Sequence, residues 1–275
     1  MNHPVIDESK CLNDDLCARV CPSKTLLPYA SGRSRFAEEV QCIGCGHCVS
    51  VCPQAALSFG SVPAKGLEPL PAGGRVDVEQ ASLLLKGRRS IRLFRREPMP
   101  RDAIARVLSF AEYAPSGMNA QPIAWTVLYE RARVEAVARA VASWMREAVA
   151  SKSPLVGALY IPAMLERWEA GEDVICRGAP HLVVAHAPEA LPSGVVAGAI
   201  SVTYLELAAR ALGAGTCWAG FVYLAAGASS EVRTLLQVPV GRRAAGIAML
   251  GTPAIAYRRF PPRKAPEITW SDETH

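Results

Sequence analysis

Between Cys42 and Pro53 the sequence reads C-I-G-C-G-H-C-V-S-V-C-P. Three cysteines stand two residues apart, a fourth follows after three more, and a proline closes the run. Four thiolates at that spacing suit an iron–sulfur cluster. Gly44 and Gly46 let the backbone wrap closely around such a cube. A tetrahedral zinc site also uses C-x-x-C pairs, but it has no need of a fourth cysteine followed by proline, so zinc is the poorer fit. His47 lies between two ligand positions. The thiolates already complete the set, so His47 reads as a loop residue able to hydrogen-bond a cluster sulfur.

A second, imperfect run precedes the first: Cys11-Leu-Asn-Asp14-Asp-Leu-Cys17-Ala-Arg-Val-Cys21-Pro22. Laid on the Cys42 run it matches at three of four ligand positions and at the proline, with Asp14 at the second position. The two runs form an internal repeat of about 31 residues. Over roughly residues 1–60 the pair resembles the two-cluster bacterial ferredoxins. In that family the fourth cysteine of each run ligates the other cluster. The resemblance therefore implies one [4Fe–4S] cluster on Cys42, Cys45, Cys48 and Cys21. It implies a second on Cys11, Cys17 and Cys52, with Asp14 where a fourth thiolate would stand. A carboxylate is a harder ligand than a thiolate. Either Asp14 is a true ligand, or that corner iron is labile and a [3Fe–4S] form arises on oxidation, or Asp14 is a solvated loop carboxylate beside Asp15.

The elements that must carry these residues fall into two blocks. A chain of 275 residues suits one large domain plus a small module. Half the residues are hydrophobic and a fifth are charged, enough for a sizeable core. No apolar run reaches the roughly 18 residues of a membrane span, and MNHPVIDESK lacks an apolar signal core, so the expectation is a cytoplasmic protein with no membrane partner. Nine cysteines in that setting argue for metal ligation rather than disulfides. The formal net charge is +5 with cysteine counted neutral, and cluster-bound thiolates would lower it. The arginines cluster without interleaved aromatics, which argues against a nucleic-acid partner. VPAKGLEPLPAGGR, rich in proline and glycine, reads as a linker. The expected division is 1–62, a linker 63–75, and 76–275.

In the second block, Asp77 followed three residues later by Gln80 predicts a helix start. That helix carries Leu83, Leu84 and Leu85 and stops at Gly87. Arg88-Arg89-Ser90-Ile91-Arg92 comes next. Three arginines and a hydroxyl can grip a phosphate, although alone such a cluster can equally be a solvated basic face. Ile104, Val107, Leu108 and Ala111 follow the helical period. APSGMNAQP then makes a polar loop before the apolar strand IAWTVLY. Val134, Val137, Ala138 and Val141 predict another helix, Ala197–Leu212 a further one, and HLVVAHA and RAAGIAML buried strands. Cys176 and Cys217 read as buried small hydrophobes. His181 and His186 read as core or strand-end residues. No G-x-G-x-x-G or P-loop pattern occurs.

RRSIR, then APSGMNAQP, then LGAGTCWAGF over 212–221, then GTPA leading to Arg258-Arg259-Phe-Pro-Pro-Arg263-Lys264, resemble the FMN-dependent nitroreductase family in order over about residues 76–265. The resemblance implies an α+β fold, a central mostly antiparallel sheet flanked by helices, preceded here by the small ferredoxin-like two-cluster domain. It implies that Arg88, Arg89, Ser90 and Arg92 contact the FMN phosphate, ribityl chain or pyrimidine edge, with Arg258 or Arg259 completing the phosphate site. Ser116 and Asn119 would sit near the ring. Ala219 and Gly220 would offer backbone N–H groups near flavin N5; many relatives carry an acidic side chain where Ala219 stands. The variable stretch 144–178, with Trp144, Tyr160, Met164 and Trp168, would form the lid, or those aromatics simply pack.

Together these imply an iron–sulfur flavoprotein oxidoreductase and a homodimer. Electrons would enter at the clusters from a ferredoxin-type donor, or as hydride from NAD(P)H. They would collect on FMN and leave to a small electron-poor acceptor, without a protein general base. A relay or redox sensor without turnover, and another reaction such as reductive dehalogenation or flavin breakdown, remain open on the same fold.

Overall fold

The structure is a computed structural model and describes residues 4–28, 35–37, 41–59, 67–71 and 73–271. The chain forms two compact units. One comprises 1–75 together with Pro115–Gln121, the other Val76–Ala114 with 122–275. Of the expected linker, residues 62–66 and 72 lie outside the described residues, and the described remainder up to Arg75 carries neither helix nor strand.

The first unit runs β1 (Pro4–Ile6), α1 (Leu16–Arg19), β2 (Leu26–Leu27), β3 (Arg35–Phe36), α2 (His47–Val51) and β4 (Leu57–Phe59). β1 pairs antiparallel with β4, and β2 with β3. The sequence repeat is also a repeat of backbone conformation. Asn13, Asp15 and Lys24 are left-handed at φ 57°, 54° and 56°; their counterparts Gly44, Gly46 and Ala55 are left-handed at 64°, 74° and 50°. Asn and Asp tolerate that region better than other side chains, so the first run can trace the same loop without glycine. Each left-handed fifth residue, Asp15 and Gly46, caps the short helix that carries the third cysteine. Cys17, Ala18, Leu26, Cys48, Val49 and Leu57 form the small core.

The second unit is built on a four-stranded antiparallel sheet. Its strands are β5 (Ala124–Leu128), β6 (His181–Pro188), β7 (Gly215–Trp218) and β8 (Arg242–Gly251), in spatial order β5-β6-β8-β7. The helices are α3 (Val78–Gly87), α4 (Arg101–Ala111), α5 (Arg131–Ala150), α6 (Leu155–Ala158), α7 (Ile161–Glu169), α8 (Gly194–Ala211), α9 (Gly220–Ala228) and α10 (Ser230–Leu235). Alternate strand residues point to opposite faces, and both faces are covered. Leu182, Val184, Ile247 and Met249 meet α5 and α9, while Val183, Ala185, Ala248 and Leu250 meet α4 and α8. The strands therefore read as continuous apolar runs rather than alternating ones. Val134, Val137, Ala138 and Val141 all turn inward on α5, as their spacing predicts. Asp77 caps α3, its carboxylate accepting the Gln80 N–H at 2.7 Å.

The register between β6 and β8 shifts at Ala185/His186, leaving Ala245 as the extra residue. There α8 lies so close that a Cβ on Gly198 would come within 2.3 Å of the Ala245 Cβ. A residue larger than glycine would push the helix off the sheet. α8 is also the one helix among the described residues long and apolar enough to cross a membrane. It carries Glu206 and Arg210, and Ala197, Val202, Leu205 and Ala209 are buried in the unit's core, which accounts for its composition.

Candidate cofactor sites

The four thiols of the first expected cluster, Cys21, Cys42, Cys45 and Cys48, line one cavity together with Ile43, Gly46 and Phe59. α2 carries Cys48 inward, and the two left-handed glycines turn the chain so that Cys42 and Cys45 face the same space. Burial pushes the Cys48 thiol up to about 11, with the neighbouring thiols of Cys42, Cys45 and Cys17 adding to it. Ligation by a cation relieves that cost, because a metal-bound thiol is deprotonated outright. Burial also pushes Cys21 up, but backbone N–H groups of Leu26, Thr25 and Ser23 and the Ser23 hydroxyl outweigh it and leave the thiol lowered. Gly44 donates its N–H to Cys42 Sγ at 3.4 Å, and Ala56 donates to Cys52 Sγ at 3.3 Å. N–H donors to ligand sulfurs are a lever on cluster potential. Among the described residues no three His, Cys, Asp or Glu side chains come together as a single-ion site. A tetrahedral zinc site needs its sulfurs about 3.8 Å apart at the usual Zn–S length. Four thiols around one cavity suit the corners of a cube.

The second expected set is Cys11, Cys17 and Cys52 with Asp14. Cys17 is buried, while Cys11 and Cys52 are partly exposed. Cys11 Sγ lies 3.7 Å from the Asn13 side-chain oxygen. Asp14 is exposed, and its Oδ1 accepts the Leu16 N–H at 3.1 Å. The Asp14 carboxylate, one residue before the cap Asp15, thus takes up the first N–H of α1.

In the second unit, one cavity of about 770 Å³ is lined by Arg88, Arg89, Arg258 and Arg259. The pairing that builds it was not legible in the sequence. Ser90 bridges to Thr216 on β7, with the Ile91 N–H on the Thr216 carbonyl at 2.8 Å. Arg95 then donates to Thr252, and Ala254 to Leu93. The RRSIR segment is thereby laid between β7 and the chain leaving β8, which brings Arg258 and Arg259 to Arg88 and Arg89. Gly215 permits the approach, since a Cβ there would meet Ile91 at 2.7 Å and Pro253 at 2.9 Å. Lys86, Arg95 and Arg210 also line this cavity, and Glu206 is its one carboxylate. Glu206 sits 3.5 Å from Arg88 and 3.4 Å from the Thr216 hydroxyl. Burial raises its pKa, and Arg88 and Thr216 only partly offset that. The Arg89 guanidinium lies over the Tyr257 ring at 5.6 Å.

Ser90 and Arg92 do not line this cavity. In an extended segment they alternate with Arg89 and Ile91, and both act on Cys217 instead. Burial raises that thiol's pKa; Arg92, Arg177 and the Ser90 hydroxyl lower it in part. Ala219 is fully buried, and its N–H is taken by the Ile247 carbonyl at 2.8 Å. Gly220 opens α9, where the first-turn N–H groups have no partner within the helix. Ser116 accepts the Gln121 N–H at 2.9 Å. Asn119 donates its amide to the Gly44 carbonyl at 3.0 Å and the Ile43 carbonyl at 3.4 Å, all within the first unit.

Both histidines are structural. His181 Nε2 accepts the Met99 N–H at 2.9 Å, so Nδ1 carries the proton and donates to the Tyr129 carbonyl at 2.8 Å. Arg242 donates to His186 Nδ1 at 2.7 Å and to the Pro122 carbonyl at 2.6 Å. Cys176 is completely buried. In the 144–178 stretch Trp144 is buried in the core, whereas Tyr160 is 74% exposed.

A sequence model described as the nitroreductase family matches residues 85–252, well over half of the chain. The chain belongs to the nitroreductase family. Residues 3–65 match a 4Fe–4S dicluster domain, the small module set before the family fold. Nitroreductase NfnB of Mycolicibacterium smegmatis is 34% identical over 99 residues, 36% of this chain and 42% of that protein. An uncharacterized protein of Methanocaldococcus jannaschii is 36% identical over 56 residues, 20% of each chain. The chain thus aligns with less than half the length of these curated relatives. A nitroreductase from Bacteroides fragilis, solved with bound FMN, superposes with TM-score 0.55 at 23% identity, covering 69% of this chain and 97% of that one. NfnB from Mycobacterium smegmatis, solved with NADPH, gives TM-score 0.51 at 25% identity over 68% and 96%. The nitroreductase fold expected for residues 76–265 is the fold of the second unit.

Proposed function

We propose that the protein is an FMN-dependent oxidoreductase that passes electrons from iron–sulfur clusters, NAD(P)H or both to a small electron-poor acceptor. The observation that carries this reading is the meeting of Arg88, Arg89, Arg258 and Arg259 on one cavity in a nitroreductase-family chain. Guanidinium groups grip phosphate by paired, charge-assisted hydrogen bonds, and about 770 Å³ is ample for a flavin nucleotide's polar end. Bound FMN would supply one-electron and hydride exchange. In this reading the arginines anchor the phosphate, while Ser90 and Arg92 serve the ribityl chain or the pyrimidine edge. The Gly220 N–H faces the ring, since the Ala219 N–H is already engaged. Ser116 shapes the loop that follows α4. Cys21, Cys42, Cys45 and Cys48 hold one [4Fe–4S] cluster; Cys11, Cys17 and Cys52, with Asp14 beside them, hold the second. The solved NADPH complex of a family member supports a nicotinamide donor; the dicluster module supports a ferredoxin-type donor. We further infer a cytoplasmic homodimer.

Anaerobic purification followed by separate titration with NADH, NADPH and reduced ferredoxin tests the reading. Flavin and cluster absorbance should both be present, at least one donor should bleach them, and a nitroaromatic acceptor should be consumed. Absence of flavin would overturn it. Bleaching without any acceptor turnover would instead make the protein a relay.

A further inference from the structure

Residues 115–121 are chain neighbours of the second unit at both ends, yet they pack with the cysteine module. Their backbone is wound tightly, with Met118, Asn119 and Gln121 left-handed at φ 53°, 52° and 43°. Ser116 Oγ accepts the Gln121 N–H at 2.9 Å, and the Gln121 amide reaches the Asn119 side-chain oxygen at 3.4 Å. Within this tightly wound loop the Asn119 Nδ2 bonds outside the loop. It donates to the carbonyls of Ile43 and Gly44, the two residues between Cys42 and Cys45. The Ile43–Gly44 peptide is engaged at both ends, because its N–H points at Cys42 Sγ at 3.4 Å. A donor on the carbonyl polarises the peptide and strengthens the bond its N–H makes.

We propose that Asn119 is a positioning residue for the iron–sulfur cluster on Cys21, Cys42, Cys45 and Cys48: it clamps two of the three peptides between Cys42 and Cys45 and, through the Gly44 N–H, raises that cluster's reduction potential. The reduced cluster is the more negative state, so a stronger N–H donor at a ligand sulfur favours it. The proposal rests on the assignment of those four thiols to one cluster. It gives the family's polar loop a task directed at the cysteine module, one that family resemblance did not suggest.

EPR-monitored redox titration of the full-chain protein with its clusters and flavin tests it. Asn119→Gly keeps the left-handed backbone and deletes the amide. Asn119→Asp keeps the shape and sets a carboxylate against two carbonyls. In Asn119→Gly one cluster should become about threefold harder to reduce, near 28 mV at 59 mV per decade. The other cluster, the flavin potential and the iron content should stay put. Asn119→Asp should shift the same cluster further in the same direction and release its iron faster to a chelator. Unmoved cluster potentials in Asn119→Gly, or a shift of flavin potential alone, would overturn the proposal while leaving the cluster assignment intact. A wild-type protein that binds no cluster would overturn the assignment and the proposal with it.

Discussion

Residues 11–22 and 42–53 trace the same loop, left-handed at the third and fifth positions of each run, but they present different donors at the fourth. In the later run that position is Cys45, on the cavity with three other thiols. In the earlier run it is Asp14, exposed and engaged with the Leu16 N–H. The difference is therefore one of donor chemistry and not of conformation. A repeat can keep its backbone while one half exchanges a thiol for a carboxylate, and under the proposed ligand set that exchange would fall at one corner of one cluster.

Substitution at the equivalent positions is the harshest test of that contrast. Cys45→Ser should abolish one cluster and lower iron from about eight to about four per chain, whereas Asp14→Ser should leave total iron of the anaerobic protein nearly unchanged; equal losses from the two would break the comparison. Outside the repeat, Arg88→Ala should weaken FMN binding roughly tenfold to a hundredfold, the loss of a charge-assisted bond. Iron should be untouched, as flavin fluorescence and iron assay on the same sample would read. Restoring symmetry is gentler. Air-exposed wild type should show a three-iron EPR signal, and Asp14→Cys should remove it without changing the fold.

The smallest effect sets the second unit against the first. Burial lowers the pKa of His181, and burial together with Arg242 lowers that of His186. A histidine kept neutral by the fold contributes stability that is whole above its unfolded value near 6.5 and fades as pH falls from there to its lowered folded value. Each unit of depression is worth about 1.4 kcal/mol. Protonated His181 would set an N–H against the Met99 N–H. Melting of the second unit should therefore drop between pH 7 and pH 5. A His181→Gln protein, less stable at neutrality, should show a flatter profile.

Spacing singled out Cys42, Cys45 and Cys48, which lie within a dozen residues; Cys21, on the same cavity, joins them only through the resemblance. Caps and periodicity did the same for Asp77 at the start of α3 and for the buried face of α5. What stayed hidden depends on pairing at long range. RRSIR lies against Thr216 and the chain after Thr252, and only that pairing separates Arg88 and Arg89 from Ser90 and Arg92. Asn119 looked like a reader of a flat ring because its loop is polar; its partners are carbonyls about 75 residues upstream, which no local pattern encodes. The resemblance points to the Ala219 backbone N–H, which the fold gives to the Ile247 carbonyl. Glu206 gave no signal at all, lying mid-helix in an apolar stretch. Lys86, Arg95 and Arg210 carry no sequence signal, because a basic residue beside a motif looks like any solvated cation.

Arg258 and Arg259 reach the cavity only through the segment leaving β8, the last strand of the sheet. On a ribosome the two cysteine runs have emerged about 200 residues earlier, some 10–40 s at ordinary elongation rates. Iron could thus be loaded onto a nascent chain, while the cavity lined by all four arginines forms only once residues 258 and 259 have emerged. That order of synthesis would let iron be acquired ahead of flavin.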